Sequence, residues 1–211
     1  MRNILLFVSL VLCFSCKSDS TQQQNMPAVD ASDEIENWTC IPGKKVGKIA
    51  KNFSEKDVIE AYGVENVERK EIGLGEGEMA NATVLFPNTD NQLFITWQLD
   101  KQFEVIDEIL IDEAKTSWMT SQGITVGTTL KELVNINEKP FQFAGFEWDY
   151  SGFANDWQGG KISKNLSVFL EPSNPEAVYP DLLGDALFSS DLPKAKEADL
   201  KVRAMIIRFD Q

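Results

Sequence analysis

One short segment combines aromatic and acidic side chains at close spacing. It contains six candidate binding residues, namely Trp148, Asp149, Tyr150, Phe153, Asp156 and Trp157. A turn at Ser151-Gly152 is expected to fold residues 146–157 into a hairpin that brings these rings near one another. If the rings are exposed, they can stack on sugars beside hydrogen-bonding carboxylates, or act as hot-spot residues for a protein partner. If they are buried, they are core, and the sequence alone leaves both alternatives open beside a carboxylate-pair hydrolase, for which no carboxyl separation is fixed.

The chain contains no histidine, and this removes most common catalytic arrangements. No Ser-His-Asp or Cys-His pair can form, and most zinc and haem sites need imidazole. Cys40 stands alone once Cys13 and Cys16 are assigned to a targeting segment, so we expect a buried apolar side chain near Trp38. A Cys16–Cys40 disulfide is the alternative if the mature chain keeps Cys16 with an unmodified thiol. We expect no enzymatic activity, no cofactor and no metal site.

Two other segments have the composition of ligand sites but not the spacing. Residues 73–77 are rich in glycine, yet Glu71, Glu76 and Glu78 surround them and no Lys-Ser/Thr pair follows, so we interpret them as a hairpin connection. Four carboxylates also flank the strand expected over residues 103–111, and these are Asp107, Glu108, Asp112 and Glu113. Their spacing is not that of a calcium loop, so a solvated edge strand is favoured over a cation site.

Composition and charge narrow the class of protein. The chain has 211 residues, of which 43% are hydrophobic and 25% charged, as in globular domains. It has 20 basic and 33 acidic residues, which give a formal charge of -13. Phosphate binding depends on Lys and Arg, so the sequence argues against nucleic acid as a partner.

The first residues have the layout of a secretory signal. Arg2 precedes an apolar run, residues 4–12, that is too short to span a bilayer. The run is followed by Cys13-Phe14-Ser15-Cys16, which resembles the lipobox of bacterial lipoproteins, in which the cysteine after a small residue is acylated. This resemblance predicts a signal peptide over residues 1–15, lipidation at Cys16 and a polar tether over residues 16–37.

The predicted lipidation gives the chain a location. Acyl chains on Cys16 would attach the protein to a membrane without a basic patch. Anionic headgroups repel the acidic body, which the tether holds away from the surface. We expect a protein of the bacterial cell envelope, anchored to the outer or the inner membrane and facing the periplasm or the cell surface.

Residues 38–115 are predicted to form a first helix-plus-meander unit. Ser54 is the expected N-cap of a helix, with Asp57 in the reciprocal capping position and Gly63 at the helix end. Four strands are expected after it, over residues 66–72, 83–86, 93–99 and 103–111. The clean alternation of residues 93–99 places Leu93, Ile95, Trp97 and Leu99 on one face.

Residues 116–211 are predicted to repeat this order. Thr129 and Glu132 are the expected capping pair, and Pro140 ends the helix. The expected strands cover residues 141–150, 153–157, 166–170 and 202–209. Residues 171–200 form a long excursion with a helical turn around residues 180–187, and excursions of this length are often functional. The fold class is therefore α+β, with two tandem units of one helix and about four antiparallel strands, and with helices packed on antiparallel sheet.

The opening of the second unit resembles a known family. The residues that carry the resemblance are Gly123, Ile124, Gly127, Thr128, Glu132, Leu133, Pro140, Trp148 and Tyr150. They resemble the helix-plus-meander unit of the small outer-membrane-assembly lipoproteins (SmpA/OmlA), and tandem units of this shape resemble the β-lactamase inhibitory protein. The resemblance implies a binding or scaffold lipoprotein rather than an enzyme.

Three hypotheses about function follow. The leading one is a lipid-anchored scaffold or binding module for another envelope protein, which predicts a large apolar or aromatic surface patch. The second is a carbohydrate-binding lipoprotein that uses residues 146–157. The third is an inhibitor of a secreted hydrolase, which would place acidic residues 71–78 at its binding face.

Overall fold

The computed structural model describes residues 38–75 and 78–210, without the side chains of residues 74, 75 and 78. The predicted signal peptide, Cys16 and the tether lie outside the described residues. No helix in the described ranges combines the length and the apolar character that a membrane span requires.

The described residues form both helices and strands, so the fold class is α+β. The α-helices are α1 (Glu55–Tyr62), α2 (Leu130–Asn137) and α3 (Pro193–Glu197), and the 3-10 turns are Val64–Asn66 and Pro180–Leu182. The strands are β1 (Thr39–Ile41), β2 (Lys45–Val46), β3 (Ile49–Ala50), β4 (Val67–Gly75), β5 (Glu78–Leu85), β6 (Leu93–Trp97), β7 (Ile106–Ile111), β8 (Met119–Thr120), β9 (Gln142–Ala144), β10 (Phe153–Ala154), β11 (Leu166–Pro172), β12 (Leu187–Ser189) and β13 (Leu200–Ile207).

Both predicted helix starts are confirmed. The Ser54 hydroxyl accepts from the backbone N–H of Asp57, and the Asp57 carboxylate accepts from the backbone N–H of Ser54. Thr129 and Glu132 form the same reciprocal pair at the start of α2. Each box satisfies two N–H groups that a helix start leaves without a partner. Gly63 ends α1, as predicted, in a conformation with φ of 88°.

Seven strands form the main sheet, in the order β10-β11-β13-β7-β6-β5-β4. Strands β4 to β7 follow each other as an antiparallel meander after α1, as predicted. Strand β7 then pairs with β13, with Ile109 opposite Ile207 and Ile111 opposite Met205. The strands before and after residue 115 therefore belong to one sheet.

This pairing corrects the interpretation of the acidic residues along β7. The carboxylates of Asp107, Glu108, Asp112 and Glu113 were expected to mark an edge strand, and this is wrong because β7 lies between β6 and β13. Glu108 instead forms an ion pair with Arg208. Within residues 38–75 and 78–210, no group of three or more His, Cys, Asp or Glu side chains is arranged to hold a metal ion.

The prediction of one strand over residues 141–150 is also wrong. Only β9 is extended there, and it pairs with β12 in a separate two-stranded sheet. Residues 147–152 form bends and turns, because Glu147 adopts a φ of 64° and Gly152 a φ of 73°. Leu99 was expected on the inner face of β6, yet it lies in the turn after Trp97 and is 84% exposed.

One hydrophobic core lies on one face of the main sheet. Ile95, Ile109 and Ile207 stand opposite one another on successive strands and are fully buried. Val58 of α1 and Leu133 of α2 belong to the same cluster. Full burial of such a side chain contributes about 1.5–3 kcal/mol, so this shared core fixes both helices against the sheet.

A buried polar network joins α1 to the main sheet. The Glu55 carboxylate accepts hydrogen bonds from Arg69 at 2.9 and 3.0 Å and from the Thr83 hydroxyl at 2.7 Å. The Thr83 hydroxyl in turn accepts from the Trp97 indole N–H at 3.0 Å. Burial by itself raises the pKa of the Glu55 carboxyl, but the hydrogen bonds from Arg69 and Thr83 and the charge of Arg69 hold the pKa below its usual value.

A single buried amide organises the loops that follow α2. Asn137 is fully buried and donates to the carbonyls of Lys139 and Trp157, each at 2.9 Å. Its side-chain oxygen accepts from the backbone N–H of Ile162. A Cβ on Gly160 would come within 2.1 Å of that oxygen, so the loop closes tightly around the amide.

Candidate functional site

The main sheet has a second apolar face, opposite to the core. We call it the outer face, and it is formed by Val84, Phe94, Leu110, Ile206, Phe169 and Phe153. The strand register places these residues on one side, because Phe94 stands opposite both Val84 and Leu110, and Leu110 stands opposite Ile206. Phe169 lies two residues beyond Ser167, the partner of Ile206, and pairs with Phe153.

Within the described part of the chain, the outer face is separate from the core. None of its six residues belongs to the core cluster. Val84 and Ile206 are buried, whereas Phe94, Leu110, Phe153 and Phe169 are half-buried and still present apolar surface. The three α-helices contribute to the core on the other side, through residues such as Val58, Leu133 and Ala195. An apolar sheet face of this kind is typical of a surface that binds a partner.

Aromatic rings extend the outer face beyond the edge strand β10. We call Trp148, Tyr150, Phe153 and Phe169 the aromatic row. Their ring centroids are separated by 5.4 Å from Trp148 to Tyr150, 6.3 Å from Tyr150 to Phe153 and 5.0 Å from Phe153 to Phe169. The Arg203 guanidinium lies 5.1 Å from the Phe169 ring and ends the row with a cation–π contact.

The turn at Ser151-Gly152 is present and is held by backbone contacts, but the hairpin expected over residues 146–157 is wrong, because residues 147–152 are bends and turns and β10 pairs with β11. Gly152 donates to Ala144 and accepts from the Leu170 N–H, at 3.1 and 2.9 Å. A Cβ on Gly152 would lie 2.0 Å from the Leu170 carbonyl oxygen, so only glycine fits this turn. The Trp148 indole N–H donates to the Gly145 carbonyl at 2.8 Å, which fixes the orientation of the ring.

The six predicted site residues fall into two groups. Trp148, Asp149, Tyr150 and Phe153 lie together, and Tyr150 is 50% exposed beside the exposed Asp149. Trp157 is buried, packs on Phe141 at 4.9 Å and donates to the Leu166 carbonyl, which assigns it to the core. Asp156 is exposed, and its carboxylate accepts from the backbone and side chain of Gln158. Of the six residues, the structure therefore brings Trp148, Asp149, Tyr150 and Phe153 together and assigns Trp157 to the core.

An ion pair lies on the outer face beside the apolar residues. Arg208 donates to Glu108 at 2.6 Å and to the Ser167 hydroxyl at 3.0 Å. Burial raises the pKa of the Glu108 carboxyl above its usual value, and the charge of Arg208 only partly offsets this. Because the two charges neutralise each other, this part of the face differs from the acidic remainder of the chain.

Cys40 is fully buried in the core, as expected from the sequence. Burial raises the pKa of its thiol to about 12. The thiol is thus protonated at neutral pH and is not a nucleophile.

The acidic loop that the inhibitor hypothesis uses is only partly described. Strands β4 and β5 pair as an antiparallel hairpin, and residues 73–75 of the predicted connection are part of β4. Residues 76 and 77 lie outside the described residues, so the placement of this loop at a binding face stays a prediction.

Neither a protein-family model, nor a curated protein, nor a solved structure matches this chain. The resemblance to the outer-membrane-assembly lipoproteins and to the β-lactamase inhibitory protein therefore stays a prediction.

Sequence reasoning missed Phe94, Leu110 and Phe169 as candidate binding residues. The signal was present, because strands 93–97 and 166–170 carry large apolar residues on both faces. A strand that is solvated on one face normally alternates apolar and polar residues. Two apolar faces in a sheet with helices on one side indicate a second surface that needs a partner.

Proposed function

We propose that this chain is a lipid-anchored, non-enzymatic lipoprotein of the bacterial cell envelope that binds another envelope protein through the outer face and the aromatic row. The observation that carries the proposal is the apolar outer face, which is separate from the core and continuous with the aromatic row, in which Tyr150 is exposed and the other three rings are half-buried. Aromatic residues are enriched at the centre of protein interfaces, and this surface combines exposed Tyr150 with half-buried Trp148 and Phe169. Acyl chains on Cys16 supply the membrane attachment.

The charges around this surface indicate the chemistry of the partner. Glu147 and Asp149 are exposed next to the aromatic row, on a chain whose formal charge is -13. The Glu108–Arg208 pair contributes no net charge to the face itself. The complementary partner presents an apolar centre with Lys or Arg residues at its rim, since such charges steer association with an acidic surface.

The division into two tandem units, residues 38–115 and 116–211, is part of this proposal. In the first, α1 is followed by the meander β4 to β7. In the second, α2 is followed by β10, β11 and β13 of the same sheet, while β9 lies outside it. A continuous sheet built from both units gives the outer face its width.

Carbohydrate binding is the second candidate function. The observation in its favour is Tyr150, which is 50% exposed beside the exposed carboxylate of Asp149. A ring with an adjacent acceptor suits a sugar whose hydroxyl groups point outward. This candidate uses the end of the aromatic row alone and does not require Phe94 or Leu110.

Site-specific photocrosslinking in intact cells tests the protein partner. A benzophenone side chain is placed at Leu110, at Tyr150 or, as the control, at Val64, which is 69% exposed and lies next to α1. We expect one discrete protein adduct from Leu110 and Tyr150 and none from Val64. Phe169→Ala is expected to reduce both adducts. Equal adducts from all three positions, or none, would contradict the proposal.

Two further measurements separate the alternatives. Binding of envelope glycans that is lost in Tyr150→Ala but kept in Leu110→Ser favours the carbohydrate function. Membrane attachment is tested by Cys16→Ser, which is expected to move the protein from the membrane fraction to the soluble fraction. Retention of the variant in the membrane fraction would contradict the lipid anchor.

A further inference from the structure

A cleft of about 400 Å³ lies between α2, α3 and the start of β13, away from the outer face. Its apolar lining comes from Leu130, Val134, Ala195 and Leu200. Leu130, Ala195 and Leu200 are buried, and Val134 is half-buried. The volume is within the range of about 300–1,000 Å³ that is usual for small-molecule sites.

The rim of this cleft carries charges of both signs. Lys131 stands on α2 and Lys196 on α3, so the two ammonium groups approach the cleft from opposite walls. Within the described ranges, neither forms an ion pair. Lys194, two residues before Lys196, is by contrast paired with Glu197 at 3.0 Å. Lys131 and Lys196 are both exposed, so their ammonium groups are available to a ligand at the rim of the cleft.

The acidic part of the rim is also available for a ligand. Asp199 lines the cleft, and its backbone carbonyl accepts from the Ser173 hydroxyl and N–H while its own N–H donates to the Lys196 carbonyl. Among the described residues its carboxylate has no hydrogen-bond or ion-pair partner. Asp191 lines the cleft as well, and it accepts from the Ser189 hydroxyl at 2.6 Å. The cleft thus offers cations and an anion around one apolar floor.

We infer that this cleft binds a small zwitterion with one apolar substituent, which is the chemistry of a hydrophobic α-amino acid. The carboxylate lies between Lys131 and Lys196, the ammonium group faces Asp199, and the apolar side chain lies against Val134, the least buried of the four apolar lining residues. A simple fatty acid fits less well, because its carboxylate would lie between the same two lysines but would leave Asp199 without a cation. This site is independent of the proposed partner-binding face.

Three probes with the same carbon chain test the inference. L-Norleucine carries both charges, hexanoate lacks the ammonium group, and pentylamine lacks the carboxylate. Equilibrium dialysis against the full-length lipidated protein in nanodiscs, with empty nanodiscs as the blank, measures binding of each. We expect saturable binding of norleucine, with hexanoate and pentylamine at least about tenfold weaker, since each loses one charge-assisted contact.

Matched variants locate the binding. Lys131→Gln, Lys196→Gln and Asp199→Asn are each expected to weaken norleucine binding about fivefold or more. Val134→Phe, which reduces the volume of the cleft, is expected to abolish it. Lys194→Gln is the control, because its ammonium group is paired with Glu197 and does not line the cleft. Circular dichroism confirms that each variant is folded.

Any one of three outcomes would overturn the inference. No saturable binding of norleucine up to about 10 mM means that the cleft is not such a site. Hexanoate that binds as tightly as norleucine indicates an anion site without ammonium recognition. An equal effect of Lys194→Gln and Lys196→Gln places the binding outside the cleft.

Discussion

The Glu55 network makes a quantitative prediction about stability. Glu55→Gln keeps the size of the side chain but removes its charge, and the new NH2 group faces the donors of Arg69. The side chain of Glu55 is 9% exposed and that of Arg69 62% exposed. Water can therefore replace the hydrogen bonds that Arg69 loses in the variant, but not those that residue 55 loses. Hydrogen bonds to a charged group contribute about 1.5–3 kcal/mol, and an acidic residue in the first turn of a helix adds about 0.5 kcal/mol. We expect Glu55→Gln to lower the free energy of unfolding by about 2 kcal/mol at pH 7.

The pH dependence gives this prediction a second signature. Because the pKa of Glu55 is lowered in the folded state, its contribution is present above the unfolded pKa and is lost as the pH falls through the folded pKa. The variant has no carboxyl group at this position, so the difference in stability between the two proteins should shrink below the usual glutamate pKa of about 4.3.

Urea denaturation between pH 3 and pH 8, followed by tryptophan fluorescence, measures both effects. Glu60→Gln is the control, since Glu60 is exposed on the same helix and is expected to change the free energy of unfolding by less than about 0.5 kcal/mol. A Glu55→Gln protein that is as stable as the parent at pH 7, or a difference that does not depend on pH, would refute the assignment of this network.

Three other predictions concern the loops and the core. Asn137→Ala should lower the free energy of unfolding by about 3 kcal/mol in urea denaturation, because two carbonyls and one N–H lose their buried partner; a loss below about 1 kcal/mol would mean that water replaces the amide. Gly152→Ala should destabilise by about 3 kcal/mol or more, whereas Gly123→Ala, at a φ of 86° but with open space around it, should cost only about 1 kcal/mol; equal losses would show that the contact with Leu170 is relieved. Cys40 should be alkylated only after unfolding, as mapped by mass spectrometry of its peptide at pH 8, because burial raises its pKa to about 12; rapid labelling of the native protein would contradict its placement in the core.

Local sequence signals predicted the helix starts and the meander of the first unit. Ser54 with Asp57 and Thr129 with Glu132 act within one turn of chain, so their outcome depends little on tertiary structure. The alternation of Leu93, Ile95 and Trp97 is also local, and the structure places all three in the core. Such patterns can be interpreted from the sequence because each depends on only a few neighbouring residues.

The misjudged features depend on contacts between distant residues. Whether Asp107 and Asp112 flank an edge strand depends on β13, which lies about a hundred residues further along the chain. The division of the aromatic segment 146–157, with Tyr150 exposed and Trp157 buried, depends on Phe141 and on the Leu166 carbonyl. No periodicity within residues 146–157 encodes these partners, so the sequence could not choose between core and surface.

The position of β13 has a consequence for the order of events during folding. This strand comes last among the described elements, yet it lies near the middle of the main sheet and joins β7 to β11. The sheet is therefore incomplete until residues 200–207 have been synthesised, and pairing over such separations in sequence is slow. The strands made earlier, β7 and β11, keep unpaired edges until β13 arrives, so the main sheet closes only when synthesis of the chain is nearly finished.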